Sequence, residues 1–105
     1  MSRYLILYTV NAAIQPEDPK VALKETEANM TAVDELANAG IVKEHGSFNP
    51  GEGYLLVEFP SREEVFKFTQ RFWPGIITDA REIIPWETTK AIVLTTLKEQ
   101  IEQQA

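Results

Sequence analysis

The segment from Glu52 to Glu64 joins an apolar strand to a capped helix with almost no loop between them. Tyr54 to Phe59 is rich in residues that favour β-strands, and Pro60 ends the strand because proline has no N–H to donate to a neighbouring strand. Ser61 and Glu64 then form an S-x-x-E capping box, the pattern of a helix N-terminus. This abrupt strand-to-helix junction predicts a small split β-α-β sheet with helices packed on it.

The remaining elements are predicted from β-propensity, helical periodicity and turn residues. Asp18 is a suitable N-cap, Pro19 suits the first helical position, and Gly40 suits the position that ends a helix. The predicted strands are Arg3–Val10, Ile41–Phe48, Tyr54–Phe59 and Ile76–Ile84; the predicted helices run from Pro19 to about Ala39, from Ser61 to a stop at Pro74-Gly75, and from about Thr88 onward. The order is β-α-β-β-α-β plus a C-terminal helix, which predicts an α+β, ferredoxin-like domain over residues 1–105 with a four-stranded antiparallel sheet.

Both faces of this sheet are predicted to be apolar. In the first strand Tyr4, Ile6 and Tyr8 share one face, while Leu5 and Leu7 share the other. Two helices can cover only one face, so the other face needs the third helix, a second subunit, or both. We expect a homodimer whose sheets pack face to face; a monomer with the third helix folded over its own sheet is the alternative.

Composition excludes several kinds of site. The chain has no cysteine and one histidine, which excludes disulfides, thiolate catalysis, zinc-thiolate sites and a histidine-rich metal site within one chain. We expect no metal and no cofactor. The formal net charge of −6 opposes binding to nucleic acid, and no apolar run reaches the roughly 20 residues that span a bilayer. A cytoplasmic location is expected, because a chain without cysteine suits a reducing compartment.

The layout resembles the dimeric α+β barrel superfamily, which includes muconolactone isomerase-like, antibiotic-biosynthesis monooxygenase-like and stress-responsive barrel proteins. The residues that carry the resemblance are Gly53-Tyr-Leu-Leu-Val-Glu-Phe59 leading into Ser61-Arg-Glu-Glu64, then Phe72-Trp73 and Ile83-Ile84-Pro85. In these segments the chain looks like a small family of uncharacterised barrel proteins. The resemblance implies a dimer with a cavity between each sheet and its helices or partner. It does not imply one activity, because such folds serve enzymes and binding proteins alike.

A second resemblance is weaker. Glu52 to Phe59 is similar to the RNA-recognition-motif signature, in which a basic residue is followed by stacking aromatics. The similarity fails at Glu52, which stands where the basic residue belongs, and at Leu56, which has no π-face for a base. RNA binding is therefore a disfavoured alternative.

Four residues are candidates for chemistry: His45, Arg81, Tyr8 and Tyr54. Histidine changes charge closest to neutral pH, so His45 is the candidate acid or base, and the structural alternative is a solvent-facing residue on an edge strand. Arg81 is a candidate for binding a substrate carboxylate, or for an ion pair with Asp79. The phenols of Tyr8 and Tyr54 are candidate hydrogen-bond donors, or packed side chains with a polar tip.

These residues leave two functional hypotheses open. The first is a non-catalytic small-molecule-binding or assembly module, favoured because no acid/base pair is visible. The second is a cofactor-independent enzyme of the isomerase or monooxygenase type, acting by proton transfer on a small aromatic or polyketide-like compound. In the second hypothesis His45 moves the proton, Arg81 holds an anion, and Tyr8 or Tyr54 donates a hydrogen bond.

Overall fold

The computed structural model describes residues 1–104. Its strands are β1 (Ser2–Val10), β2 (Val42–Asn49), β3 (Glu52–Phe59) and β4 (Ile76–Ile83), and its α-helices are α1 (Pro19–Asn38), α2 (Arg62–Gln70) and α3 (Trp86–Gln104). A short 3-10 turn at Ala12–Ile14 follows β1. The strands form one antiparallel sheet in the order β2-β3-β1-β4. Within the described residues the fold is thus α+β, with an open four-stranded sheet and three α-helices.

The helix ends lie where their capping residues predict them. The carboxylate of Asp18 accepts a hydrogen bond from the Lys20 amide at 2.9 Å at the start of α1. The Ser61 hydroxyl oxygen accepts one from the Glu64 amide at 3.3 Å at the start of α2. Gly40, just after α1, has a φ of +78°, a left-handed conformation that glycine adopts without strain.

The second helix is shorter than its apolar pattern predicts. α2 ends at Gln70, and Phe72 and Trp73 lie in the turn that follows, although they continue the apolar run of the helix. The amides of Phe72 and Trp73 donate to carbonyls three residues earlier, at 3.1 and 3.3 Å. Such bonds tighten the last turn of a helix and end it before the proline is reached.

Two other boundaries differ from the prediction. The turn between β2 and β3 is only Pro50-Gly51, with Gly51 at a φ of +77°, because both strands extend further than their apolar residues. The third helix begins at Trp86, directly after Pro85, because the Pro85 carbonyl already accepts a bond from the Thr89 amide at 3.0 Å.

The core lies between the sheet and one end of the helix layer. Its buried members are Tyr4, Ile6, Val42, Leu55, Val57, Val65 and Phe68. α2 contributes Val65 and Phe68, whereas α1 packs through its C-terminal half, with Val33 and Leu36 partly buried. Leu23 and Met30, which the periodicity places on the apolar face of α1, remain 59% and 62% exposed. The N-terminal half of α1 therefore stands away from the sheet.

The third helix projects away from the rest of the chain. Within residues 1–104, none of its Cα atoms comes within 8 Å of a Cα atom in another helix or strand. The chain measures 69 × 30 × 23 Å and has a radius of gyration of 18.6 Å. A compact chain of this length has a radius of gyration of about 13 Å. The alternative in which α3 folds over its own sheet is not the conformation observed.

Candidate functional site

A cavity of about 870 Å³ opens between α1, the C-terminal end of α2 and the sheet. We refer to it as the helix-side cavity. It exists because α1 contacts the sheet only through its C-terminal half. Its floor includes Ile6, Tyr8, His45, Ser47, Leu55 and Thr78, and its walls include Thr26, Met30, Val33, Phe68, Phe72 and Trp73. The lining is mixed: apolar side chains form much of the walls, polar side chains lie on the floor, and Glu25, Asp34 and Arg71 also line the cavity.

Tyr8 lies across the floor of the helix-side cavity. Gly53 on β3 pairs with Tyr8 on β1 and with Ser47 on β2. A Cβ atom at Gly53 would lie 2.5 Å from the Tyr8 hydroxyl oxygen, so this phenol sits directly over the glycine. The ring therefore extends from β1 over β3, toward the side of the floor formed by β2. Only glycine leaves room for it there.

His45 lies on the same floor, one row along the sheet from the phenol. It pairs with Leu55, whose other neighbour is Ile6 on β1. His45 is exposed at the open side of the cavity, since β2 is an edge strand. The structure thus brings together two of the four predicted site residues, His45 and Tyr8.

Tyr54 lies on the other side of the sheet, which we call the open face because neither α1 nor α2 covers it. Its ring covers Gly46, where a Cβ atom would lie 2.9 Å from a Tyr54 ring carbon. The ring also stacks on Phe48, with centroids 5.6 Å apart and an interplanar angle of 22°. Burial raises the pKa of the Tyr54 phenol, and the neighbouring Glu44 carboxylate raises it further. Tyr54 is therefore separated from His45 and Tyr8 by the sheet.

Arg81 is paired with Asp79. Its Nε and Nη2 atoms both donate to one carboxylate oxygen of Asp79, at 3.2 and 3.0 Å. The two residues are neighbours on the same face of β4, and the Arg81 side chain is 71% exposed. Arg81 borders a second cleft of about 710 Å³ between α2 and β4, and it does not line the helix-side cavity. The guanidinium predicted to hold a substrate anion is thus placed away from His45 and already has an anionic partner.

Sequence reasoning missed Arg71, which does line the helix-side cavity. Within residues 1–104 its side chain has no ion pair and no hydrogen bond. It directly follows α2, at the point where the apolar pattern predicts that the helix continues. The sequence feature that pointed to Arg71 was its position beside Phe72 and Trp73. The direction of the Arg71 side chain, however, depends on where α2 ends.

The loops that close one end of the helix-side cavity are tied together by amide side chains. The side-chain amide of Gln15 donates to the carbonyl of Asn11 at 2.9 Å and to that of Gly75 at 3.0 Å. The backbone amide of Asn11 donates to the same Gly75 carbonyl at 2.9 Å. These bonds fix the turn that carries Trp73 against the end of β1.

No group of three or more His, Cys, Asp or Glu side chains in residues 1–104 is arranged to hold a metal ion. None of the helices in that part of the chain is both long enough and apolar enough to cross a bilayer. Comparison of the chain with protein-family models, curated proteins and solved structures finds no match. The resemblance to the dimeric α+β barrel superfamily therefore stays a prediction, and the site is interpreted from its own chemistry.

Proposed function

We propose that this chain is a small-molecule-binding protein whose ligand occupies the helix-side cavity. The cavity itself carries the proposal. Its volume of about 870 Å³ lies within the range of roughly 300 to 1,000 Å³ that ligand sites occupy. Such sites combine apolar walls with polar groups that orient the ligand. Here Tyr8, His45 and Ser47 lie on the floor, and the charged side chains of Glu25, Asp34 and Arg71 also line the cavity.

The walls favour an aromatic or otherwise apolar organic compound. Phe68 and Phe72 pack edge to face, with centroids 5.2 Å apart and an interplanar angle of 79°. Because Phe68 belongs to the core, this contact holds the neighbouring Phe72 wall in place. A flat apolar ligand would bury surface against Phe72 and Trp73 while its polar substituent meets Tyr8 or His45 on the floor.

Filling the cavity tests this proposal directly. Thr26 lines the wall on α1, so Thr26→Trp places an indole in the cavity, whereas Thr31→Trp adds the same group to an exposed position of α1 outside it. A panel of one- to three-ring phenols, ketones and carboxylic acids would be screened by ligand-observed NMR. We expect binders in the micromolar to millimolar range that lose about tenfold or more in affinity with Thr26→Trp and keep it with Thr31→Trp. A panel without binders, or binders indifferent to Thr26→Trp, would contradict the proposal.

The enzymatic alternative rests on His45 and Tyr8, which share the cavity floor. An acid or base beside a hydroxyl donor suits removal and return of a proton next to a ketone carbonyl, with the developing enolate oxygen accepting a hydrogen bond from the phenol. Tyr54 and Arg81 take no part in this version. If it holds, a ketone that binds will exchange its α-protons with D₂O faster than in buffer, as seen by ¹H NMR, and His45→Gln will abolish the excess. If the α-protons of every bound ketone exchange at the rate seen in buffer, the enzymatic alternative is wrong and ligand binding remains the proposed function.

The finer description of the fold is also a proposal: a ferredoxin-like domain, related to the dimeric α+β barrels, that forms a homodimer through its open face. The sheet order and the βαββαβ succession support it. Leu5, Leu7 and Leu56 form the centre of the open face and are only partly buried within the chain. Burying about 500 Å² of apolar surface per subunit would contribute on the order of 12 kcal/mol before the cost of association.

A charge at the centre of that surface tests the dimer. Leu56→Glu would bury a carboxylate without a partner between the two sheets, which is strongly unfavourable. We expect this variant to be monomeric at concentrations where the parent protein is dimeric, and to bind the same panel compounds. A Leu56→Glu protein with undiminished self-association would place the interface elsewhere.

A further inference from the structure

The projecting helix α3 carries an apolar stripe along one side. It consists of Trp86, Val93, Leu94, Leu97 and Ile101, and we call it the α3 stripe. Each of these residues is about half exposed or more, from 49% at Val93 to 69% at Trp86. At about 100° per residue the five positions fall within a sector of about 100°, the width of a helix face that packs against another surface, and Lys90 lies in the same sector between Trp86 and Val93 along the helix.

Within residues 1–104, no Cα atom of another helix or strand comes within 8 Å of α3. The one ion pair of α3 in this part of the chain, between Lys90 and Glu87 at 3.2 Å, is local to the first turns of the helix. Isolated helices gain little from propensity alone and depend on packing of an apolar face. The 19 residues of α3 are therefore expected to require a surface for the α3 stripe.

We propose that this surface belongs to a second copy of the chain, so that α3 is an exchanged arm packed along the margin of its partner's open face, beside the contact between the two sheets. The open face is an uncovered surface of the same molecule with apolar residues at its centre, and its margins expose Phe48 and Ile77. The Lys43–Glu58 and Arg81–Asp79 ion pairs lie on the same face. The α3 stripe rises about 22 Å from Trp86 to Ile101, close to the roughly 24 Å length of a strand such as β4. The helix thus matches the sheet in length.

The connection between β4 and α3 directs the arm outward. It consists of Ile84 and Pro85. Proline fixes its own φ and restricts the residue before it to extended conformations, which leaves little freedom for α3 to turn back over its own sheet. In a dimer formed through the open faces, the partner's sheet lies beside the chain, and α3 can extend onto it. The centre of each open face then meets the partner's sheet, and the arm covers its margin.

The surface area supports a second copy as the occupant. At half exposure the five side chains of one α3 stripe offer roughly 250 Å². Two arms and the surfaces they cover would add about 1,000 Å² to an interface of about 1,000 Å² between the sheets. The total of about 2,000 Å² reaches the upper end of the standard range for stable complexes. Without the arms the interface of about 1,000 Å² falls below the lower limit of that range, which is roughly 1,200 Å².

The inference rests on the self-association in the proposed function and is independent of ligand binding. Paired substitutions test it. The double variant Leu94→Glu, Leu97→Glu charges the α3 stripe, and Thr95→Glu, Gln103→Glu adds the same charge to the opposite side of the helix. We expect the first pair to raise the dimer dissociation constant about 100-fold and the second to leave it within about threefold. An equal effect of both pairs would overturn the inference.

A cross-link shows which chain the arm touches. A benzophenone amino acid replaces Leu97, or Thr95 as the matched control, and the full-length protein is irradiated and run on a denaturing gel. We expect covalent dimers from position 97, attached to strands of the open face, and few from position 95. If the parent protein is a dimer but the probe at position 97 links within its own chain or not at all, the proposal of an exchanged arm is wrong. The proposal of a homodimer through the sheets then still stands. If the parent protein is a monomer, both fail, and the ligand screen still stands on its own result.

Discussion

The two faces of the sheet are made from the same strands and both carry apolar residues, yet they have different surroundings, and the open face also carries the Lys43–Glu58 and Arg81–Asp79 ion pairs. On the helix-covered face, Tyr4 is 4% exposed, Ile6 is 1% exposed and Val57 is fully buried. On the open face, Ile77 and Ile83 remain 45% and 37% exposed. Since side chains alternate along a strand, apolar residues were placed on both faces by the same local rule. The difference in burial between the apolar residues of the two faces comes from which face the chain covers itself.

The comparison separates two roles of apolar surface. On the covered face, burial stabilises the individual chain, although α1 leaves part of that face open as the helix-side cavity. On the open face, the same kind of surface contributes only when a second molecule covers it. The first face therefore carries folding and the proposed ligand site, and the second carries the proposed assembly.

The largest expected effect comes from matched truncations on the two faces of β1. Ile6→Ala removes a side chain that is 1% exposed, and such core truncations cost about 2 to 5 kcal/mol in free energy of unfolding. Leu7→Ala, one residue along, removes a half-buried side chain from the open face. At high dilution, where a dimer dissociates, we expect its cost to fall below about 1 kcal/mol, a surface-like value.

Chemical denaturation at several protein concentrations measures both effects. The cost of Leu7→Ala should rise with protein concentration, because the dimer adds to apparent stability by mass action, while the cost of Ile6→Ala should change little. Equal costs for the two variants at high dilution would remove the distinction between the faces.

A smaller effect is expected from the two glycines that lie beneath tyrosine rings. In Gly53→Ala, the added methyl would meet the Gly46 carbonyl oxygen and the Tyr8 hydroxyl, and one of these is backbone that cannot move aside. We expect a loss of about 1 to 3 kcal/mol in free energy of unfolding and weaker ligand binding, because the Tyr8 ring must move.

Gly46→Ala is the control for that change on the open face. Its methyl would meet only the ring of Tyr54, at 2.9 Å, and that ring can rotate away at lower cost. Thermal denaturation and the ligand screen should therefore show a smaller loss of stability and unchanged binding. A Gly53→Ala protein as stable as the parent, with normal binding, would mean that Tyr8 is not held over β3.

The smallest effect concerns charge on the open face. The Glu58 carboxylate lies 2.9 Å from the Lys43 ammonium and 3.7 Å from the Arg3 guanidinium. The hydrogen bond from Lys43 holds the pKa of the Glu58 carboxyl below its ordinary value, against the opposing effect of burial. The folded-state pKa is thus lower than the unfolded one. The resulting stabilisation is present above the unfolded pKa of about 4.3, and it is lost as the pH falls through the folded-state pKa.

Denaturation between pH 6 and pH 3 at low salt measures this contribution. Glu58→Gln should flatten the loss of stability below about pH 4.3, whereas Glu27→Gln on the exposed side of α1 should not. High salt should reduce the difference, since exposed charges are screened. Identical pH profiles for the parent protein and Glu58→Gln would show that the ion pairs add nothing to stability.

The elements that sequence predicts well are those with local chemical signals. The caps at Asp18 and Ser61 form the expected hydrogen bonds, and Gly40 ends α1 in the left-handed conformation. The predicted end of α2 was wrong, because the aromatic run through Phe72 and Trp73 has the composition of a helix face but lies in a turn. The apolar composition of this run favours burial of its side chains, but it does not determine whether the backbone is a helix or a turn.

The candidate site was predicted only in part, because its geometry depends on tertiary structure. Whether Arg81 on β4 shares a face with His45 on β2 depends on the register across three strand pairs, and β2 is irregular between Val42 and Glu44 and again between Ser47 and Asn49. The rule that side chains alternate between the two faces of a strand cannot predict such irregularities in register. The helix-side cavity depends on the N-terminal half of α1 standing away from the sheet, although Leu23 and Met30 recur at the spacing of an apolar helix face. No local pattern encodes that gap.

The central claim is that a second copy of the chain covers the open face. Multi-angle light scattering on a size-exclusion column, repeated over a dilution series, tests it most directly. The account predicts a mass of twice the chain's 11.9 kDa, falling toward 11.9 kDa as the protein is diluted. A mass of 11.9 kDa at every concentration would contradict it.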